Sequence, residues 1–356
     1  MKTINVAFVG VGSNTSAMVQ VIEKSKKGEG LNGVRFADIC GYTLEGVNVV
    51  AAFDVDKDKI GKDIADAIFA DINSCKKYID VDKMNVFVDA GPVYDGVDGN
   101  LGNKIEVSEE SQMNNIDSVV KRLVETKADV VVANLPTGST RAIKEYALAA
   151  AKAGVAFVNA TPELAARDSE VVAAFEENKV PILGDDLRSH LGATTLHMVL
   201  IELLRSRGIE VTNTYQLNFG GNMDFYNLAS PGRAISKQKS KRNSLFAAGI
   251  DASNVTAGPN GYIEYLKDNK ICYLHLEGKS ILDSDISIEL KLDVQDSANA
   301  AGVLASAIRI AVLAKERGLY GVIDPVCPYL FKSPRKGLSD REGTKAYLEF
   351  IGEKEV

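Results

Sequence analysis

Val9-Gly10-Val11-Gly12-Ser13-Asn14-Thr15 is the stretch that decides the fold. The apolar run Ile4–Val9 leads into it and a helical pattern leads out, so two glycines stand where a buried strand turns into a helix. The first glycine permits the tight turn, and the second lets the backbone approach a pyrophosphate at the positive end of the helix. Thr15 takes the place of the third glycine of the usual dinucleotide fingerprint, and the motif alone also suits a plain strand-to-helix turn. A second apolar run, Val47–Phe53, ends at Asp54, a carboxylate placed to accept hydrogen bonds from an adenosine ribose. Its charge disfavours a 2′-phosphate, which selects NAD over NADP; the other reading is a cap on a helix over Asp56–Ala67. Gly10, Gly12, Ser13, Asn14 and Asp54 are the first candidates for cofactor binding.

Three more short apolar runs follow, at Val130–Ala133, Val155–Val158 and Pro181–Leu183, with an alanine-rich helical pattern over Thr140–Lys152 that stops at Gly154. Such alternation is the pattern of a parallel sheet with crossover helices. Pro136 and Thr137 leave the third strand and Asn159 and Thr161 the fourth, where a cofactor crevice lies. The Gly- and Asp-rich segment Asp71–Ser111 reads as an insertion.

Beyond Leu183 the texture changes. An amphipathic helix over Ala193–Arg207 precedes long strands at Glu210–Asn218, Ile271–Leu276 and Asp285–Gln295. In the last strand Ile286, Ile288, Leu290, Leu292 and Val294 alternate with Ser287, Glu289, Lys291 and Asp293, so one face is wet or partner-covered. A final helix is expected over Asn299–Lys315. The fold class is therefore α/β: a Rossmann-like NAD-binding domain with a second α+β domain built on a largely antiparallel open sheet. The expected division is 1–190 for the NAD-binding domain, 191–297 for the sheet domain, and 298–356 for a return to the first.

The 356 residues, 46% of them apolar, suffice for about two domains of roughly 150 residues. Acidic residues outnumber basic ones by 48 to 41, a net charge of −7, which argues against nucleic acid or an anionic membrane surface as partner. No apolar run approaches the ~18 residues that span a bilayer, and the start reads as a strand rather than a signal peptide. Four cysteines without paired spacing suggest reduced thiols in a cytoplasm. With three histidines in all, chemistry falls to lysines, carboxylates or a cofactor.

Gly184-Asp185-Asp186-Leu187-Arg188-Ser189-His190-Leu191-Gly192-Ala193-Thr194 leaves the fifth strand and opens a helix. Its free amides at Gly192, Ala193 and Thr194, with the Ser189 hydroxyl and Arg188, suit a phosphate; the plainer reading is an ordinary capped helix start. A polar strand exit, Asn218 through Asp224 and including Asn222, leads to Ser236-Lys237-Gln238-Lys239-Ser240-Lys241. Two lysines four apart on a helix repel unless an anion sits between them, and each lowers the other's pKa. A basic cluster is ordinarily a solvated face, and the Asn- and Gly-rich exit before it is what favours a site. Asp296 and Lys332, taken singly, also read as a helix cap and a surface charge.

In this order the pieces resemble the myo-inositol-phosphate synthase family, of the short prokaryotic kind, over nearly the whole chain. Gly10-Val11-Gly12, Phe53-Asp54-Val55-Asp56, Gly184-Asp185-Asp186, Asn218–Asp224, the Ser-Lys-x-x-Ser-Lys frame at 236–241, Asp296-Ser297-x-Asn299 and Lys332-Ser333-Pro334 carry the resemblance. It implies a homotetrameric enzyme, with 191–297 as its catalytic and oligomerisation domain, that cyclises glucose 6-phosphate on bound NAD: oxidation at C5, enolisation at C6, aldol closure on C1 and re-reduction. By the resemblance Lys237, Lys241 and Lys332 are the catalytic cations, Asp186 and Asp296 orient them, and Lys279 is a weaker fourth charge. Arg188, Ser189, Gly192, Ala193, Thr194, Asn218, Asn222 and Asp224 would face the sugar phosphate, and Asp185 and Asp296 the cofactor. A divalent-cation requirement is not legible. Three positions depart from the family pattern: Arg188 replaces lysine, His190 glutamine and Ala298 proline. A sugar-phosphate dehydrogenase, a cyclase of another sugar phosphate and a catalytically silent NAD-bound regulator are the competing readings.

Overall fold

The computed structural model describes residues 2–230, 232–233 and 256–354. Among them β1 (Lys2–Val9), β2 (Asp38–Ile39), β3 (Tyr42–Asp54), β4 (Val88–Ala90), β5 (Val130–Ala133), β6 (Ala156–Asn159), β7 (Pro181–Leu183) and β12 (Gly321–Val322) form one sheet. It runs β12-β7-β6-β5-β1-β3-β2, with β4 also beside β3. All pairings are parallel except β2 with β3. The central strands are buried along nearly their whole length because helices cover both faces, which is why they read as unbroken apolar runs. The strand order reverses between β1 and β5, and ligands of such sheets bind beyond the strand ends at that switch point.

One face of this sheet is covered by helices 13–26 and Asp296–Glu316, the other by Thr140–Lys152 and its neighbours. Helix Asp296–Glu316 is the one described helix long and apolar enough to cross a membrane; it instead lies buried in the core, its Ala301, Leu304, Ile308 and Ala311 packed with residues of β1 and helix 13–26. Its Arg309 is fully buried and donates to the Phe36 and Ala37 carbonyls, tying the segment before β2 to the core.

The second sheet runs β11-β10-β8-β9, built from β8 (Glu210–Gly220), β9 (Thr256–Tyr262), β10 (Asn269–Lys279) and β11 (Asp285–Gln295). β10 pairs antiparallel with both neighbours, and β8 with β9 is parallel. Helix Ala193–Ser206 lays Ala193, Ile201 and Leu204 on Cys272, Leu274 and Leu276, with Ile288, Leu290 and Leu292 at the margin. The opposite face stays open, with Tyr273 44% exposed. The alternation expected in β11 is present residue by residue.

Three expectations need correcting. No helix spans Asp56–Ala67: Asp56 and Lys59 form a turn, and only Ile64–Ala67, capped by Asp63, is helical. The segment 71–111 is not wholly an insertion, since its Val88–Ala90 joins the sheet beside β3. The helix expected over Asn299–Lys315 begins at Asp296 and is not the last, because Asp340–Ile351 follows with a Ser339/Glu342 capping box.

Candidate active site

The glycine turn is built as its residue types require. Gly10 has φ +86°, and a Cβ there would lie 2.8 Å from the Asn134 carbonyl oxygen. Gly12 faces open space and begins helix Ser13–Lys26 with no side chain capping its amides. Thr15 explains the missing third glycine: its hydroxyl donates to the Gly10 carbonyl at 2.6 Å and accepts from Asn134 Nδ2 at 3.0 Å, pinning the turn to the end of β5. The buried Asn134 Oδ1 has no partner among the described residues. Free helix amides, a glycine cradle and an unsatisfied acceptor fit a dinucleotide. Asp54 organises the turn around it. Its Oδ2 accepts from Val11 N at 2.7 Å and lies 3.4 Å from Lys59 Nζ, while Oδ1 accepts from Val55 N and Asp56 N.

The same cleft continues from Gly10, Gly12, Ser13, Asn14 and Asp54, past Pro136, Thr137 and Thr161, to the lysine end. There the ends of two chain segments meet. Residues 185–188 pair with 330–333: Lys332 N donates to the Asp186 carbonyl at 2.7 Å, Ser333 N to that of Asp185, and Arg188 N to that of Leu330. This ladder sets Lys332 Nζ 2.8 Å from Asp186 Oδ1, both side chains largely shielded from solvent. Asp186 adopts φ +61°, a left-handed conformation that Asp tolerates better than most residues.

Opposite stands a second pair. Lys270, first on β10 to face the cleft, places Nζ 2.9 Å from Asp296 Oδ1, and Asn222 Nδ2 donates to Asp296 Oδ2 at 3.1 Å. Burial pulls the Lys270 pKa down, but Asp296, then Asp224 and Asp186, more than offset this and hold it above the usual lysine value. Behind them Asp268 accepts from the Ser297 hydroxyl at 2.6 Å, and burial raises its pKa to about 6. Asn218, fully buried, accepts from Gln216 Nε2 and lines the cleft with it. Asp224 accepts from the Thr137 hydroxyl at 3.0 Å, joining the two sheets. Helix Ala193–Ser206 starts without a side-chain cap at Gly192, and Ser189, Gly192, Ala193 and Thr194 line the cleft there. Two uncapped helix N-termini, at Gly12 and Gly192, therefore turn positive ends into one cleft that also holds the ammonium groups of Lys59, Lys270 and Lys332.

Of the residues expected at the site, Asn159, Asp185 and Lys279 do not line the cleft. Asn159 and Asp185 are buried behind it, joined at 2.7 Å, with Asp185 also accepting from Ala166 N. Burial pushes the Asp185 carboxyl up to about 7. Lys279 ends β10 nine residues from Lys270, roughly 30 Å along an extended strand. It pairs there with Asp285 in solvent. Arg188 lines the cleft, but its Nη1 is 2.5 Å from Asp340 and its Nε donates to the Phe331 carbonyl. Lys237 and Lys241 lie outside the described residues. Sequence reading missed Lys270, Lys59 and Gln216. The signal for Lys270 was its register: it lies opposite Gly220 at the exit of β8, which only the pairing reveals. Among the described residues no three His, Cys, Asp or Glu side chains are grouped to hold a metal.

Comparison with known proteins agrees with this layout. The family model for myo-inositol-1-phosphate synthase matches residues 192–297. The inositol-3-phosphate synthase of Mycolicibacterium smegmatis is 42% identical, over 97% of this chain and 97% of that protein. The crystal structure of Ari2 is 37% identical with a TM-score of 0.81, covering 99% of both chains. That of a myo-inositol-1-phosphate synthase-related protein from Thermotoga maritima is 25% identical with a TM-score of 0.83, again over 99% of both. Likeness of this extent, over nearly the full length of both chains, places the chain in the inositol-3-phosphate synthase family.

Proposed function

We propose that this chain binds NAD and converts glucose 6-phosphate to inositol phosphate without net oxidation. The observation that carries the reading is the single cleft joining a dinucleotide cradle at Gly10–Asn14 to the Lys332–Asp186 and Lys270–Asp296 pairs. Gly10, Gly12, Ser13 and Asn14 hold the pyrophosphate, Asp54 faces the adenosine ribose, and Pro136, Thr137 and Thr161 flank the path toward the sugar. Held there, the nicotinamide would supply reversible two-electron chemistry at C5.

The chain's own groups do the rest. The amides of Gly192–Thr194 and the Ser189 hydroxyl seat the phosphate, so that C5, C6 and C1 lie toward the lysines. Oxidation at C5 releases its hydroxyl proton and leaves a ketone beside C6. Removal of a C6 proton then gives an enolate, C6 bonds to C1, the C1 oxygen takes up one proton, and the C5 oxygen takes up the other as the ketone is reduced again. Negative charge passes from the C5 oxygen to the C1 oxygen, and preorganised cations beside both positions lower the barriers. Lys332 and Lys270 supply that charge, joined by Lys237 and Lys241. Asp186 and Asp296 hold the two described ammonium groups in place and keep Lys270 protonated. Asn218, Asn222 and Asp224 bind sugar hydroxyls.

The enzyme works as a homotetramer through the open face of the β8–β11 sheet, in a reducing cytoplasm that suits its four free cysteines. Light scattering reads the tetramer directly. Function is tested by incubating the protein with glucose 6-phosphate and substoichiometric NAD+ and identifying the product by phosphorus NMR. Inositol phosphate in many-fold excess over cofactor is expected. A sugar acid or ketose phosphate, formed in step with reduced nicotinamide, overturns the proposal in favour of a dehydrogenase.

A further inference from the structure

We infer that Arg188 is a positioning residue rather than a phosphate ligand: with Asp340 it forms a clasp that holds Lys332 in the cleft, an inference that rests on the function proposed above. The guanidinium is planar and its donors point in fixed directions. Nε donates to the Phe331 carbonyl at 3.1 Å, and Nη1 reaches Asp340 Oδ1 at 2.5 Å, with the arginine side chain only 12% exposed. The backbone of the same residue donates to Leu330 at 2.9 Å, and Leu187 bridges Phe331. One residue thus grips the segment immediately before Lys332 from backbone and side chain together, and ties it to the first turn of helix Asp340–Ile351.

Lys332 itself is reached through this ladder: its amide donates to Asp186 at 2.7 Å and its ammonium to the Asp186 carboxylate at 2.8 Å. Segment 331–339 has no strand or helix of its own beyond the isolated bridge at Phe331, so the ladder and the clasp set where the ammonium stands. Arg188 replaces the lysine that the family resemblance leads one to expect. A lysine has one terminal nitrogen on a flexible stem and cannot span a carbonyl and a carboxylate in one plane. With its charge matched by Asp340, the arginine is also a weaker attractor for phosphate, which falls to the helix amides at Gly192–Thr194 and to Ser189.

The test separates the two roles of Arg188 through its partner. Asp340→Asn keeps shape and the helix start but removes the charge that holds the clasp. Displacing a catalytic group by a fraction of an ångström to an ångström costs about ten- to a hundredfold. The clasp therefore predicts a kcat lower by about tenfold or more in Asp340→Asn, with the KM for glucose 6-phosphate changed by no more than about twofold. Arg188→Lys shows the same split. Hydrogen exchange on intact holoenzyme adds a readout independent of turnover: the amides of Arg188, Lys332 and Ser333 lose protection in both variants, while the amides of β1 and β5 keep theirs. An Asp340→Asn enzyme with unchanged kcat and a lower KM overturns the inference, because it shows a released arginine binding phosphate. Unchanged exchange at Lys332 and Ser333 overturns it as well. Failure of the wild type to make inositol phosphate refutes the proposed function alone, and the exchange measurement still decides the clasp.

Discussion

The two sheets contribute to one cleft in different currencies of structure. The parallel sheet offers backbone: a left-handed glycine, an uncapped helix start and the amides between them. The antiparallel sheet and the segments against it offer side chains, Lys270, Asn218, Asn222 and Asp296, and at that end of the cleft Lys332 and Asp186 join them from the segments beyond β12 and β7. Backbone sites tolerate exchange of most side chains but not added bulk at glycine, whereas side-chain sites fail when one charged atom is lost. On the proposed function, a cofactor common to many chemistries would be held by the half whose contacts are least specific in residue type, and the reaction set by the half whose contacts are most specific.

The largest effect should come from the side-chain half. Replacing Lys270 or Lys332 by Met removes a cation beside developing negative charge, and kcat is expected to fall by about 10²–10⁴-fold with NAD affinity unchanged. Steady-state turnover together with a cofactor titration checks both parts. A loss of NAD binding in either variant would erase the division between the halves.

Next comes a pH dependence confined to the second sheet. Burial lowers the pKa of His197 from 6.5 to about 4, its Nε2 lying 2.5 Å from the Thr214 hydroxyl. The unfolded chain therefore binds a proton between those values that the folded chain does not. The stability concerned is fully present above pH 6.5 and is lost as pH falls toward 4. The total is about 3 kcal/mol. The check is a difference: in denaturant titrations from neutral to acid pH the wild type should lose about 3 kcal/mol more than His197→Gln, whatever slope the other groups add to both. Asp185 has the opposite sign: with its pKa raised to about 7, its contribution is present in acid and lost as pH rises through neutrality.

Gly10→Ala probes the backbone half. Its Cβ would press on the Asn134 carbonyl in a left-handed conformation, at a cost of about 1–3 kcal/mol. A lower melting temperature and weakened NAD binding are expected, with the second sheet's hydrogen exchange unaltered. The smallest effect belongs to Lys279→Met. At the far end of β10 and paired with Asp285 in solvent, it should leave kcat and KM within about twofold.

The same division explains what the sequence shows before the fold is known. Contiguous backbone signals are legible: Gly10, Gly12, the acid at Asp54 and the helix start at Gly192 all border one cleft. The period-two pattern of β11 is legible too, because one of its faces is half-buried and the other wet. What stays hidden depends on pairing. Lys270 and Lys279 sit on the same strand, and only the register of β10 against β8 shows which reaches the cleft. Asp185 and Asn159 look like ligands because they follow strands, yet they face each other behind the wall, where a buried polar pair satisfies itself. Arg188 reads as a phosphate group until Asp340, distant in sequence, is seen beside it.

In the proposed reaction the electrons leaving the sugar return to the same molecule within one cleft. Glucose 6-phosphate deuterated at C5, turned over with excess unlabelled NAD+, tests it most directly. The account predicts that the inositol phosphate keeps the deuterium at the carbon that was C5, with none in free reduced nicotinamide. Product without deuterium at that carbon, or label accumulating in released cofactor, would contradict it.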